Sequence, residues 1–151
     1  AGLGADVPMC LAGRPALVSG IGERLEPAPP LPACGLLLVN PGTALPTAAV
    51  FAARRGDFSK VQPLAHPWSD LASLVEALAA RGNDLSAAAI AVCPAIAEVL
   101  AFLRASPAVR YAAMSGSGAT CFALYDTPAA AERAASGVPT TWWRHAGKLV
   151  S

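Results

Sequence analysis

Three stretches of the sequence place residue types at spacings that could do chemistry. The first is Leu3-Gly4-Ala5-Asp6-Val7-Pro8, where an acid stands between a glycine turn and a helix begun by proline. Two readings of Asp6 follow from that position. As a helix cap it accepts backbone N–H bonds and complements the positive end of the helix dipole. As a carboxylate beside a substrate hydroxyl it orients that hydroxyl and takes its proton during phosphoryl transfer, with a metal and a phosphate cradle supplied from elsewhere.

The second stretch is Ser115-Gly116-Ser117-Gly118-Ala119-Thr120. Its glycines permit positive φ and close backbone approach, so amide hydrogens can converge on an anion. A glycine hairpin between two strands needs no ligand, however. This one also lacks the lysine of a Walker loop and the strand-to-helix setting of a dinucleotide fingerprint. The third runs from Pro41-Gly42 through Pro46-Thr47 to Phe51, a loop entering a helix that carries one aromatic on its first turns. Composition alone assigns Phe51 to the core.

The elements around these residues have to position them. Gly35 to Val39 reads as a buried strand stopped by Asn40-Pro41-Gly42, and Pro46 to Arg55 as a helix with proline at its first position. Residues 56 to 68 read as loop. Ser69 or Asp70 then caps a helix whose apolar Leu71, Leu74, Val75 and Leu78 fall at i, i+3, i+4 and i+7, and Gly82 ends it. Asn83-Asp84 opens another helical stretch, restarted at Pro94, in which Ile96, Val99, Leu100 and Leu103 repeat the spacing up to Pro107.

Val109 to Met114 and Thr120 to Tyr125 are β-rich and joined by the glycine loop, so they read as a hairpin. Pro128 to Ser136 is helical, and Thr140 to His145 is a last strand. From Gly35 onward the order is strand, helices, strand, strand, helix, strand. That pattern predicts an α+β fold, a ferredoxin-like split βαβ sandwich with an antiparallel sheet and helices on one face. Ahead of it, Ala16 to Ser19 and Glu23 to Ala28 form a hairpin about Gly20-Ile21-Gly22, and the prolines at 27, 29, 30 and 32 mark a boundary. The expected units are residues 1–33, the tail of another domain, and residues 34–151.

Composition narrows the function classes. With 54% hydrophobic and 14% charged residues the chain can bury a core and lacks the signature of disorder. A net charge of +1 gives no electrostatic footprint for a phosphate backbone or an anionic membrane, so neither nucleic acid nor membrane is an expected partner. Its apolar runs fall far short of the ~20 residues that span a bilayer. Residues 1–6 carry an acid and no base, unlike a secretory leader, and a cytoplasmic location is expected. Cys10, Cys34, Cys93 and Cys121 stand apart among apolar neighbours without a CxxC pair, and read as buried free thiols. The chain opens without methionine inside a glycine turn, so it is expected to be a piece of a longer protein.

Four segments taken together resemble the GHMP kinases, in particular the branch acting on 4-diphosphocytidyl-2-C-methyl-D-erythritol in non-mevalonate isoprenoid biosynthesis. They are Leu3 to Pro8, Asn40-Pro41-Gly42 with Pro46-Thr47 and Phe51, Asn83-Asp84-Leu85, and Met114 to Thr120. Their order and spacing extend the resemblance over essentially the whole chain. It implies that Asp6 is the catalytic base. It further implies that Phe51 stacks on the cytosine of the substrate with Thr47 near the same base, and that Ser115, Gly116, Ser117, Gly118 and Ala119 lie beside the nucleotide phosphate loop. The implied reaction is ATP-dependent phosphorylation of the tertiary 2-hydroxyl, with Mg2+, and no residue of this chain is assigned to the metal. The fold it implies for residues 34–151 is the family's C-terminal domain.

The family's N-terminal half carries a Pro-x-Gly-x-Gly-Leu-Gly-type phosphate loop, a lysine and a histidine, and none of these occurs here. His66 and Lys60 are expected in solvent-exposed loops and do not replace them. The chain by itself is therefore expected to be inactive, with the N-terminal half of the same enzyme as its natural partner. Two alternatives stand beside this reading: a freestanding ferredoxin-like module binding a small ligand through residues 40–47 and 115–119, and a GHMP kinase for another alcohol.

Overall fold

The computed structural model describes residues 14–20, 24–60 and 67–149. Asp6, the helix expected at Pro8, Cys10 and His66 lie outside the described residues. Strands β1 (Ala16–Ser19) and β2 (Arg24–Pro27) pair antiparallel as a separate two-stranded sheet, the expected hairpin.

The main sheet contains β3 (Cys34–Asn40), β4 (Val109–Met114), β5 (Cys121–Tyr125) and β6 (Trp143–Leu149). Its spatial order is β4-β5-β3-β6 and every pairing is antiparallel. The chain crosses from β3 to β4 through α1 (Thr47–Ala53), α2 (Leu71–Arg81), α3 (Ser86–Val92) and α4 (Ala95–Ala105), and from β5 to β6 through α5 (Pro128–Ser136). This is the ferredoxin-like split βαβ order anticipated from the sequence.

The helices are not all on one face. Leu37, Val39, Cys121, Ala123 and Tyr125 face Val50 of α1, Ala89 of α3, Ile96, Val99 and Leu103 of α4, and Ala131 of α5. On the opposite face Cys34 and Leu124 are buried under Leu71 and Leu74 of α2, with Leu36, Tyr111 and Phe122 packed alongside. The reason lies in β3, whose centre is an unbroken Leu36-Leu37-Leu38-Val39 run. A strand with no polar alternation is one covered on both sides.

Two boundaries also differ. The last strand begins at Trp143, because Trp142 N–H donates to Pro139 O at 3.0 Å and makes 139–142 a turn. Its ladder with β3 then runs from Asn40↔Trp143 to Cys34↔Leu149. Helix α1 is shorter than Pro46 to Arg55: Pro46 is the extended residue before it, and Arg54 turns extended after it.

Local chemistry explains the other ends. Asp70 accepts from Ser73 N–H at 2.9 Å while Ser73 Oγ takes the Asp70 N–H, a reciprocal cap for α2. Gly82, at φ +64, closes that helix. Thr127 caps α5 ahead of Pro128. There Gly35 lets the two elements meet, since a Cβ on it would overlap the Thr127 carbonyl. Cys34, Cys93 and Cys121 are buried free thiols; burial raises the pKa of Cys34 and pushes Cys121 up to about 11.

Candidate functional site

The loop of residues 115–119 connects β4 to β5 and is folded on itself: Ser115 N–H donates to Thr120 O and Gly118 N–H to Ser115 O, both at 2.9 Å. Gly116 and Gly118 have φ of +54 and +87. Gly118 has no room for a side chain either, because a Cβ would come 2.9 Å from Met114 Sδ and 3.1 Å from Ile96 Cδ1. Glycine is thus required there on two counts. The amides of Gly116 and Ser117 are not consumed by the loop's own bonds.

Three side chains tie the loop to its surroundings. Asn40, the last residue of β3, donates through Nδ2 to Thr120 Oγ1 at 2.9 Å. Its Oδ1 accepts Gly42 N–H at 2.8 Å, a turn that sends the chain toward α1. Thr47, the first residue of α1, shares a hydroxyl–hydroxyl bond of 2.9 Å with Ser117. Asn83 donates to Met114 O at 3.2 Å and Gly116 O at 2.8 Å, and accepts Leu85 N–H at 3.0 Å.

These ties bring separate sequence segments to one open cavity of about 650 Å³. Its wall includes Thr47 and Phe51 from α1, Leu78 and Arg81 from α2, Asn83, Tyr111, Ser115, Gly116, Ser117 and Phe122. Phe51 is 51% exposed, which overturns its assignment to the core; Val50 fills that role on α1. Gly118 and Ala119 do not line the cavity and instead form the packed floor of the loop, with Ala119 buried. Lys60 is exposed, as expected.

The charge in the wall is Arg81, whose guanidinium donates to Ala77 O at 2.7 Å. Nearby, Asp84 accepts from Ser59 Oγ at 2.6 Å and Ser59 N–H at 2.8 Å, and these bonds hold its carboxyl below the usual carboxylate range. Arg54 stacks over Phe58 at 3.6 Å from the ring centroid. Among the described residues no three of His, Cys, Asp and Glu gather into a metal-binding cluster. Nor is any helix among them long and apolar enough to cross a membrane.

Sequence reasoning assigned no role to Asn83 or Asn40. The available signal was positional: each is an amide at the point where a strand or helix gives way to a turn. Arg81 gave no signal beyond a basic residue in the last turn of a helix.

A sequence profile described as "GHMP kinases C terminal" matches residues 53–144. The chain belongs to the GHMP kinase family. Among curated GHMP kinases it is 52% identical over 148 residues to "4-diphosphocytidyl-2-C-methyl-D-erythritol kinase" of Gluconacetobacter diazotrophicus, covering 97% of this chain and 48% of that protein. With the protein of the same name from Paramagnetospirillum magneticum it shares 49% over 152 residues, covering 99% of this chain and 53% of the relative. A solved structure titled "Crystal structure of 4-(cytidine 5'-diphospho)-2C-methyl-D-erythritol kinase" superposes with a TM-score of 0.79 at 36% identity, over 99% of this chain and 55% of that one. The family resemblance read from the four motifs is borne out. The chain spans about half the length of the curated GHMP kinases it matches.

Proposed function

We propose that this chain is the C-terminal part of an ATP-dependent kinase that phosphorylates the 2-hydroxyl of 4-diphosphocytidyl-2-C-methyl-D-erythritol. The observation that carries the reading is the convergence of Thr47, Phe51 and the 115–117 segment on one cavity. An exposed aromatic beside a hydroxyl suits a nucleobase, which stacks on the ring and hydrogen-bonds at its edge. A glycine loop with spare amides next to that hydroxyl suits phosphate oxygens. The names of the relatives favour this over a freestanding binding module and over another alcohol as substrate.

In this reading Thr47 and Phe51 bind the cytidine end, and Ser115, Gly116 and Ser117 lie beside the transferring phosphate over the floor made by Gly118 and Ala119. Asp6 is the base that orients and deprotonates the attacking hydroxyl. Catalysis of phosphoryl transfer is mainly positioning and charge stabilisation, so a fixed loop contributes by being fixed. ATP and Mg2+ are held mainly by the N-terminal half of the enzyme; residues 1–33 are the tail of that domain and 34–151 the C-terminal domain. The location is cytoplasmic.

The test is phosphorylation of the cytidyl substrate by the full-length enzyme and by its Asp6→Asn variant. Turnover should fall by ~10² to 10⁴ with substrate affinity little changed, the range of general acid–base catalysis. Near-normal turnover in a stably folded Asp6→Asn enzyme would remove Asp6 from the catalytic list, because asparagine caps a helix about as well as aspartate. Substrate-dependent ADP release by the 151-residue chain alone would show that it needs no second half.

A further inference from the structure

We infer that Asn83 is a positioning residue for the glycine loop: through its carboxamide it sets Ser115 to Ser117 at the height where their backbone meets the transferring phosphate. The inference deepens the kinase reading above and rests on it for the identity of the ligand.

Asn83 sits in the turn between α2 and α3, half-buried, one residue after the φ +64 glycine that ends α2. Both ends of its side chain are engaged. The Nδ2 group donates to Met114 O and Gly116 O, the carbonyls on either side of Ser115, and Oδ1 accepts Leu85 N–H. Only a carboxamide offers two donors and an acceptor in this geometry: aspartate has no donor, and serine cannot reach two carbonyls two residues apart.

Backbone bonds close the loop through Ser115, and the other side-chain ties reach only its edges. Asn40 holds Thr120, at the far end of the loop. Thr47 and Ser117 share an exposed hydroxyl pair, where water or a ligand can replace either partner. The β4–β5 ladder ends at Met114↔Cys121. From Met114 to Gly116, Asn83 is the side chain that fixes the backbone, and these three residues line the cavity with Ser117. Misplacement by about 1 Å at such a point can cost ~10²-fold in rate.

Asn83→Asp keeps the acceptor for Leu85 N–H, and so the start of α3, while it deletes both donors to the loop. Asn83→Ser keeps a weaker acceptor and serves in its place should the aspartate prevent folding. Both are made in the full-length enzyme, and amide exchange is followed at Ser115 and Gly118, whose N–H groups are bonded inside the loop. Exchange at these two amides should rise by ~10-fold or more, with exchange in α3 and α4 and the melting temperature little changed. The rate constant kcat should fall ~30- to 100-fold and KM for the cytidyl substrate should stay within about twofold. Unchanged exchange at Ser115 and Gly118, or a rise shared equally by α3 and α4, overturns the inference in favour of a purely structural role. If the wild-type enzyme leaves the cytidyl substrate untouched, the kinase reading falls, and the exchange comparison still decides whether Asn83 holds the loop.

Discussion

The two faces of the four-stranded sheet are packed to different depths. Among the described residues, eighteen belong to the buried cluster beneath α1, α3, α4 and α5, and four to the cluster beneath α2. On the deep side Ile96, Met114 and Leu45 close up under Gly118, so the glycine loop rests on a filled core. On the shallow side the neighbours of Leu71 and Leu74, among them Leu78, Tyr111 and Phe122, are only partly buried, and those three also line the cavity. A face packed to completion makes a foundation, whereas a face covered by one helix keeps apolar walls that a ligand can reach. The site lies where the first supports it and the second leaves it open.

The contrast breaks or sharpens under substitution. Ile96→Ala should cost about 4 kcal/mol in denaturant unfolding, since the side chain is fully buried inside the larger cluster, where close-packed neighbours relax little into the space left behind. Leu74→Ala on the shallow face should cost about 2.5 kcal/mol, because half-buried neighbours and α2 itself can shift to fill the space. Equal losses in the two variants would mean that the faces are equally rigid.

Phe51→Ala probes the open side directly. On the proposed kinase reading, loss of stacking, worth about 2 kcal/mol in base-binding proteins, corresponds to a roughly 30-fold rise in KM of the full-length enzyme for the cytidyl substrate. KM for ATP and the melting temperature should barely move, given the exposure of the ring. A melting temperature lowered as far as in Leu74→Ala would return Phe51 to the core.

The smallest effect is electrostatic. Bonding from Ser73 to Asp70, and from Ser59 to Asp84, lowers both carboxyl pKa values in the folded chain. A folded pKa below the unfolded one contributes stability that is present above the ordinary value of about 3.9 and is lost as pH falls through the folded pKa. Acidification from pH 5 toward 2.5 should therefore loosen the cap of α2, and with it the shallow face, ahead of the deep one. Both groups are exposed, so the effect should shrink with added salt. In Asp70→Asn, melts recorded across this range should lose the part of the pH dependence that belongs to α2.

Most elements were legible because periodicity and punctuation agreed. Leu71, Leu74, Val75 and Leu78 gave α2, Asp70 and Gly82 gave its ends, and the glycine loop gave the β4–β5 hairpin. The placement of α2 was not legible from its own stripe, which specifies an apolar face without naming the surface it covers. The unbroken Leu36 to Val39 run was the available clue. The start of β6 was missed because Thr140, Thr141 and Trp142 have strand propensity, while the backbone bond to Pro139 makes a turn of them. Of the cavity lining, Thr47, Phe51 and Ser115 to Ser117 were singled out by local pattern and by a four-segment resemblance. Asn83 stayed unassigned because its work is done by hydrogen bonds to residues 31 and 33 positions away, which no local pattern encodes.

The buried thiols make the two faces separately observable in time. Cys34 lies under α2, Cys121 faces the helices of the deep side and Cys93 is buried at the junction of α3 and α4, and an inaccessible thiol reacts with an alkylating reagent only during an opening. With Cys121 pushed up to about 11, almost none of it is thiolate at neutral pH in the closed state. Each alkylated peptide thus acts as a clock for the helix layer above it. The mass of Cys34 should shift first and that of Cys121 last, so the order of labelling reads out which side of the sheet breathes.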